Sequence, residues 1–346
     1  MNVETNKMQQ KYLADKLKDS VIAITGATGL VGSRIAFYLL ELNKIHGANI
    51  KVLAFVRNKD KYNKCFSNYA GQDEIEFVHY DECSDINYNH DVDYIIHCAG
   101  ISGGTKLHLT EPTKISLIAY ESTKKILDFA VNNHCKKLCY ISTYEIYGGI
   151  SQKELIREDE PCFLDTMTLR NIYSECKRMC EAMCVAYNAQ FNIEIVCGRL
   201  TSTFGYGVKY NDPRFFAEFA RCAVEKRDIV LKSAGRTVRS YLDSDDAASA
   251  FLYLLTDGKN CNIYNVTNME NSISIKEIAE KVIALSNENI KLRFDISDDI
   301  SSLGFRKEGC TLMDAHKLYA LGWKPVYSID ETILKLICTI RGGYNQ

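Results

Sequence analysis

What most constrains this chain is a rhythm. Short runs that stay apolar on consecutive positions alternate with segments of helical period. Val21-Ile22-Ala23-Ile24 leads into Ile35 to Leu42, and Val52-Leu53-Ala54-Phe55-Val56 is followed by Ile75-Glu76-Phe77-Val78. Tyr94-Ile95-Ile96 precedes a helical segment from about Thr113 to Asn132, then Leu138-Cys139-Tyr140-Ile141. A second helical segment, about Tyr173 to Asn188, precedes Ile193-Glu194-Ile195-Val196. A strand that is apolar on both faces is buried on both faces, as in a parallel sheet covered by helices. Alternation at this spacing predicts an α/β, doubly wound fold. The 346 residues leave room for a lobe beside that core. After about residue 200 the rhythm loosens, and Phe215 to Glu225, Ile229 to Leu231 and Ile275 to Leu285 suggest a smaller C-terminal lobe. Tyr241 to Leu255 and Ile263 to Val266 read as one more helix and strand returning to the sheet. The expected organisation is an N-terminal helical extension over 1–20, carrying Tyr12, Leu13 and Leu17 on one face. A main domain follows over 21–200 plus about 240–266, with the lobe at about 201–239 and 267–346.

Charge and composition exclude several classes. Lys and Arg number 42 against 44 Asp and Glu, a net charge of −2, so no basic field draws nucleic acid or an anionic membrane. No apolar stretch approaches the roughly 18 residues of a spanning helix. The first residues mix charges around no apolar core, so a cytoplasmic protein is expected. Fourteen cysteines in so long a chain then read as reduced thiols. Cys176, Cys180 and Cys184 share one helical face and suit small buried hydrophobes; no metal site is expected.

Directly after the first strand the chain reads Thr25-Gly26-Ala27-Thr28-Gly29-Leu30-Val31-Gly32, and a helix begins. Glycines let the backbone turn sharply and touch a pyrophosphate, which the N–H groups at the helix start then face. Strand, glycine turn and helix in that order predict a dinucleotide site. An acidic residue at the end of the second strand normally holds the adenosine ribose, but here the strand ends Phe55-Val56-Arg57-Asn58. Arg57 suits a 2′-phosphate, implying NADP, or stacking on adenine. Asp81, ending the third strand, suits a hydrogen bond to the adenine amino group or a plain cap.

Tyr173-Ser174-Glu175-Cys176-Lys177 sets a phenol and an ammonium one helical turn apart. Ionising a tyrosine at neutral pH costs about three pKa units, roughly 4 kcal/mol, and a nearby cation acts against that cost. Tyr12/Lys16 and Tyr120/Lys124 share the spacing, so position is what distinguishes this copy. It lies 30 residues after Thr143, which closes the fifth strand in Tyr140-Ile141-Ser142-Thr143-Tyr144-Glu145-Ile146-Tyr147-Gly148. Carboxyl ends of strands line the ligand crevice of a doubly wound sheet.

With these motifs in order, the chain resembles an extended short-chain dehydrogenase/reductase of the NAD-dependent nucleotide-sugar epimerase/dehydratase family over about residues 20 to 340. The resemblance rests on the glycine turn (25–32), Ile-Ile-His-Cys-Ala-Gly (95–100), Ser-Thr-x-Glu-Ile-Tyr-Gly (142–148) and Tyr-x-x-x-Lys (173–177). Arg-Ser-Tyr (239–241) with Asp245-Asp246 and Ile-Tyr-Asn-Val (263–266) complete it. It implies a Rossmann domain binding NAD through Gly26, Thr28, Gly29, Leu30, Val31, Gly32, Ala99 and Lys177. Tyr173 would be the acid/base, and Lys177 would lower its pKa and hold the nicotinamide ribose. Thr143 would bind the reacting hydroxyl, and Arg239 with Ser202 would meet the substrate diphosphate. Glu145 matches the carboxylate of 4,6-dehydratases and UDP-glucuronate decarboxylases. Three positions depart from the family pattern: Tyr144 replaces the dehydratases' Asp, Ala119 a usual Asn, and Ser202 an Asn. The implied activity is transient oxidation of C4 of a nucleoside-diphosphate sugar, with 4,6-dehydration foremost and 4-epimerisation or decarboxylation as alternatives. An NADPH-dependent keto-sugar reductase and a non-catalytic dinucleotide sensor are the other readings. The resemblance also implies a homodimer through the helices near 113–132 and 173–188, to which Met179, Ala182, Met183 and Ala186 would contribute.

Overall fold

The first strand, β1 (Val21–Thr25), is buried over its last four residues, and β5 (Lys137–Thr143) over all seven. Such strands hold only where helices cover both faces. The computed structural model describes residues 2–81, 84–100, 110–148, 155–296 and 309–342. With β2 (Lys51–Val56), β3 (Ile75–His79), β4 (Tyr94–His97), β7 (Glu194–Leu200) and β11 (Asn262–Val266), they form a seven-stranded sheet in the order β11-β7-β5-β4-β1-β2-β3. Every pairing in it is parallel.

Alternate side chains divide between two layers. Ile22, Ile24, Val52, Ala54 and Val56 pack with α2 (Leu30–His46), and with Ser244–Asp257, the helix that precedes β11. Ala23, Leu53, Phe55, Leu138 and Tyr140 pack against α4 (Pro112–Asn132) and α5 (Ile172–Phe191), where α3 is the short helix Lys59–Cys65. The N-terminal helix α1 (Asn2–Lys16) is no loose extension. Leu13 and Leu17 are fully buried in the first of these layers, and the Tyr12 hydroxyl donates to Asp257 Oδ1 at 2.7 Å.

The lobe has its own sheet. β10 (Val238–Asp243) pairs antiparallel with β12 (Asn268–Ser274) and parallel with β14 (Cys310–Met313) and β8 (Ser202–Phe204); β14 pairs with β6 (Leu155–Ile156). The strand before Ser244 therefore belongs to this second sheet, while the helix from Ser244 and β11 return to the first as expected. Helices over Phe215–Val224, Ile275–Ser286 and Ile329–Ile340 close a separate apolar core around Ile229, Leu231 and Tyr241.

A candidate active site at the ends of β1, β4 and β5

The glycine turn follows β1 without a break. The Gly26 N–H donates to the Phe55 carbonyl at 2.9 Å, and its φ of +66° is one that side chains rarely adopt. A Cβ on Gly26 would stand 3.2 Å from Ala99 Cα, and one on Gly32 only 2.5 Å from the Gly26 carbonyl oxygen. Turn, Ala99 and the first turn of α2 thus touch backbone to backbone. Gly29 caps α2 with no side-chain hydrogen bond, so Leu30, Val31 and Gly32 begin the helix with their N–H groups open to an outside acceptor. That is a cradle for a diphosphate at a helix N-terminus. Thr28 is half-buried beside it.

His97, which ends β4, holds the strand ends in line. Its Nδ1 lies 2.7 Å from Thr25 Oγ1 and its Nε2 3.3 Å from Thr123 Oγ1. Thr25 Oγ1 also accepts from the Ala99 N–H at 2.9 Å, and Thr123 donates to Cys180 Sγ. Every partner is satisfied by a neutral ring protonated on Nε2. Burial, with the Lys177 charge adding to it, pushes the imidazole down to about 3. The apolar spacing of β4 gave no reason to single out this histidine.

The two adenosine-side candidates are less committed to a ligand. Arg57 is exposed directly after β2. The Asp81 carboxylate accepts from the Ser84 N–H at 2.6 Å and lies 2.9 Å from His79 Nε2, so it closes its own loop.

Thr143 and Tyr173 meet as expected, sharing a side-chain hydrogen bond. Burial and the Glu145 charge push the phenol well above its ordinary range, and Thr143 and Arg170 act against that rise. Lys177 stands one helical turn on, in the same helix. Its ammonium donates to the Ile141 carbonyl at 2.8 Å and lies 4.8 Å from the centre of the Tyr140 ring. Burial lowers its pKa. A narrow pocket opens between Ala99 and Gly100 on one side and Tyr173, Cys176 and Lys177 on the other. Ala119 lines it and accepts from Cys180 Sγ through its carbonyl.

Beyond Tyr173, Glu145 is gripped by Arg170, with Nη2 3.1 Å from Oε1 and Nη1 2.9 Å from Oε2. Residue spacing had not marked Arg170. Ser202 Oγ donates to the Tyr144 hydroxyl at 3.4 Å, and the Arg239 guanidinium stands 6.0 Å from the Tyr144 ring centre. Among the described residues no carboxylate lies within ion-pair distance of Arg239, whose charge Tyr144 helps to hold. The Tyr241 hydroxyl nearby is buried and has no hydrogen-bond partner among the described residues. An arginine, two phenols and a serine hydroxyl thus face the same end of the crevice.

Behind the site a buried network ties the two sheets together. Ser142 donates to Glu181, and Arg199 forks onto Glu181 with Nε 3.1 Å from Oε1 and Nη2 2.9 Å from Oε2. Arg199 also donates to the Tyr147 hydroxyl, which donates to Asn265 Oδ1 at 2.7 Å. Asn265 Nδ2 reaches the carbonyls of Ile156 and Asp314 beside the second sheet.

Comparison with known proteins gives a consistent picture. The model of the NAD dependent epimerase/dehydratase family matches residues 22–267. A dTDP-D-glucose 4,6-dehydratase of Bos taurus is 24% identical over 341 residues, covering 94% of this chain and 90% of that protein. UDP-glucuronic acid decarboxylase 1 of Danio rerio is 25% identical over 331 residues, covering 94% and 74%. A UDP-N-acetylglucosamine 4-epimerase structure from Methanobrevibacter ruminantium superposes with a TM-score of 0.79 at 18% identity, covering 94% of this chain and all of that one.

Proposed function

The chain belongs to the NAD-dependent epimerase/dehydratase family, and on that footing we propose that it oxidises C4 of a nucleoside-diphosphate sugar, eliminates water across C5 and C6, and reduces the product again. NAD is its cofactor. The residues fit that group: the glycine turn touches Ala99 too closely for any larger side chain, and the uncapped start of α2 suits a diphosphate. Gly26, Thr28, Gly29 and the N–H groups of Leu30, Val31 and Gly32 would hold the diphosphate. Ala99 and Lys177 would flank the nicotinamide side, and Arg57 and Asp81 the adenosine side. When bound, NAD supplies a hydride acceptor at C4 that later returns the hydride.

The observation that carries this reading is the convergence of Thr143, Tyr173 and Glu145 at the end of β5. Thr143 hydrogen-bonds the C4 oxygen while Tyr173 accepts its proton. Glu145 would then take the C5 proton, made acidic by the adjacent ketone, and hand it to the departing C6 hydroxyl, which leaves as water. The proton held on Tyr173 would go to C5 as C6 is reduced, so that C4 remains a ketone. Arg239 and Ser202 bind the diphosphate of the sugar nucleotide, the arginine because its charge has no carboxylate partner among the described residues.

A homodimer through α4 and α5 fits the exposed Leu117, Tyr120, Met179, Ala182 and Ala186 on those helices, with the half-buried Met183 beside them. Cytoplasmic residence fits a chain in which no described helix is long and apolar enough to cross a membrane.

The test is to incubate the NAD-loaded protein with a panel of nucleotide sugars and follow mass and reduced nicotinamide. Loss of one water without net cofactor consumption is the expected result. An inverted C4 with unchanged mass, or loss of carbon dioxide, would move the protein to the epimerase or decarboxylase branch. Steady cofactor oxidation would make it a net reductase.

A further inference from the structure

Arg170 sits in the short turn Leu169–Asn171 that leads into α5, three residues ahead of Tyr173. Its guanidinium addresses both oxygens of Glu145, at 3.1 and 2.9 Å, with the two side chains 27% and 18% exposed. The Nη2 contact is a hydrogen bond and the Nη1 contact an ion pair by distance alone, a two-point approach that the single ammonium of a lysine does not reproduce. On the phenol of Tyr173, Glu145 and Arg170 act in opposite directions. The other groups facing that phenol are Thr143 from β5, Tyr144 from the turn after it, Tyr140 beneath it, and Lys177 on its own helix. Lys177 is committed to the Ile141 carbonyl. The cation paired with the site's carboxylate is therefore Arg170.

We propose that Arg170 is a positioning residue of the proton-transfer site, holding Glu145 by both oxygens beside Tyr173 so that the reaction runs through a fixed ion pair and not a free carboxylate. This rests on the function proposed above. In that reaction the C4–H electron pair leaves as hydride to the cofactor while the C4 hydroxyl proton passes to Tyr173. The ketone thus formed loses its C5 proton to Glu145. Arg170 takes up no proton in either step. It acts by keeping Glu145 aimed and by offsetting a negative charge that otherwise opposes ionisation of the phenol.

The charge pattern makes an unusual pair of expectations. In Arg170→Gln the phenol keeps the Glu145 charge and loses the opposing cation, so the rising limb of the pH profile for C4 oxidation moves to higher pH. In Glu145→Gln the anion is gone and the same limb moves to lower pH. The double variant brings the limb back toward that of the wild type. Arg170→Lys keeps a cation but loses the two-point contact with Glu145, so its limb stays near the wild-type position while kcat for dehydration falls roughly tenfold or more with KM little changed.

The assay uses NAD-loaded protein and whichever nucleotide sugar the wild type oxidises, reading reduced nicotinamide in a single turnover across pH. Thermal melts of each variant report folding. Opposite shifts in the two single variants support the inference. An unmoved limb in Arg170→Gln, with only a lower melting temperature, overturns it and makes Arg170 a structural strap, leaving the functional reading standing. Absence of hydride transfer by the wild type with every sugar overturns the functional reading, and this inference falls with it.

Discussion

Replacing Gly32 by alanine tests the dinucleotide cradle through a single methyl group. The added carbon would lie 2.5 Å from the Gly26 carbonyl oxygen, 3.0 Å from its carbonyl carbon and 3.1 Å from Ala27 Cα. All three are backbone atoms that no rotamer change can move aside. Comfortable contact needs about 3.5 Å, so turn and helix must part by roughly 1 Å. Overpacking of this kind costs about 1–3 kcal/mol. Alanine's better helix propensity offsets up to about 1 kcal/mol of that in the folded protein. No such offset applies to the ligand, because the displaced turn is the surface that meets the diphosphate. A loss of 1–3 kcal/mol in binding is roughly a 5–150-fold rise in Kd. Titration of NAD into nucleotide-free protein, with melting curves in the same buffer, therefore expects affinity to fall further than stability. Gly47→Ala is the control: its φ of +62° strains any side chain, yet nothing lies within 4 Å of the new carbon. It should lose stability and keep its affinity. If Gly32→Ala binds NAD as tightly as the wild type while folded, the diphosphate does not lie on this turn.

Three further substitutions probe other layers of the site. Tyr173→Phe should keep NAD affinity and lose C4 oxidation by roughly 100-fold or more, read as reduced nicotinamide in a single turnover; undiminished hydride transfer would remove the phenol from the mechanism. Arg199→Ala strands Glu181 in a site where the two side chains are 7% and 9% exposed. The expected cost is about 3–5 kcal/mol, or roughly 4–7 °C in melting temperature for a chain of this length, and a Glu181→Gln/Arg199→Met double variant should recover much of it. His97 carries a folded-state pKa of about 3 against an ordinary 6.5. As pH falls the unfolded chain takes up this proton first, so stability present above 6.5 is lost as pH drops toward 3. Urea midpoints of His97→Gln across that range should fall less steeply than those of the wild type.

How much of this could be read from residues alone differs between the two sheets. Strands buried on both faces write their burial into consecutive positions, which is why Val52 to Val56 and Leu138 to Ile141 announce themselves. The second sheet offers no such pattern. Its β12 reads Asn-Met-Glu-Asn-Ser-Ile-Ser, β8 has three residues and β6 two, and they are joined by pairings that cross from 27 to 157 residues of chain. The helix Ile329–Ile340 starts on a capping box of Ser328 and Glu331, which a reading by apolar period passes over. Leu13 and Leu17 were legible as one face of a helix, but periodicity says nothing about which core that face joins. The same limit applies inside the site. Spacing puts Lys177 one turn from Tyr173, yet the destination of a four-carbon side chain is decided by which carbonyl lies open, here that of Ile141. Arg170 and Glu145 are 25 residues apart with no shared period, so their pairing exists only once the chain has folded.

Two of the positions that depart from the family pattern, Tyr144 and Ser202, turn out to be neighbours: the Ser202 hydroxyl donates to the Tyr144 phenol at 3.4 Å. The parallel register of β8 with β10 sets Ser202 opposite Tyr241, two residues beyond Arg239, whose guanidinium stands over the same phenol ring. Two departures in contact are one change in the shape and polarity of a surface, not two independent weakenings of it. A bulky phenol where a short carboxylate is usual requires a small residue facing it, and serine provides that room while supplying a hydroxyl to its oxygen. The end of the crevice nearest Arg239 is thus remodelled as a unit, whereas Thr143, Tyr173 and Glu145 on the other side of Tyr144 keep the family's residues. Under the function proposed above, C4 oxidation and recognition of the sugar nucleotide would then be carried by adjacent but separable surfaces on either side of Tyr144.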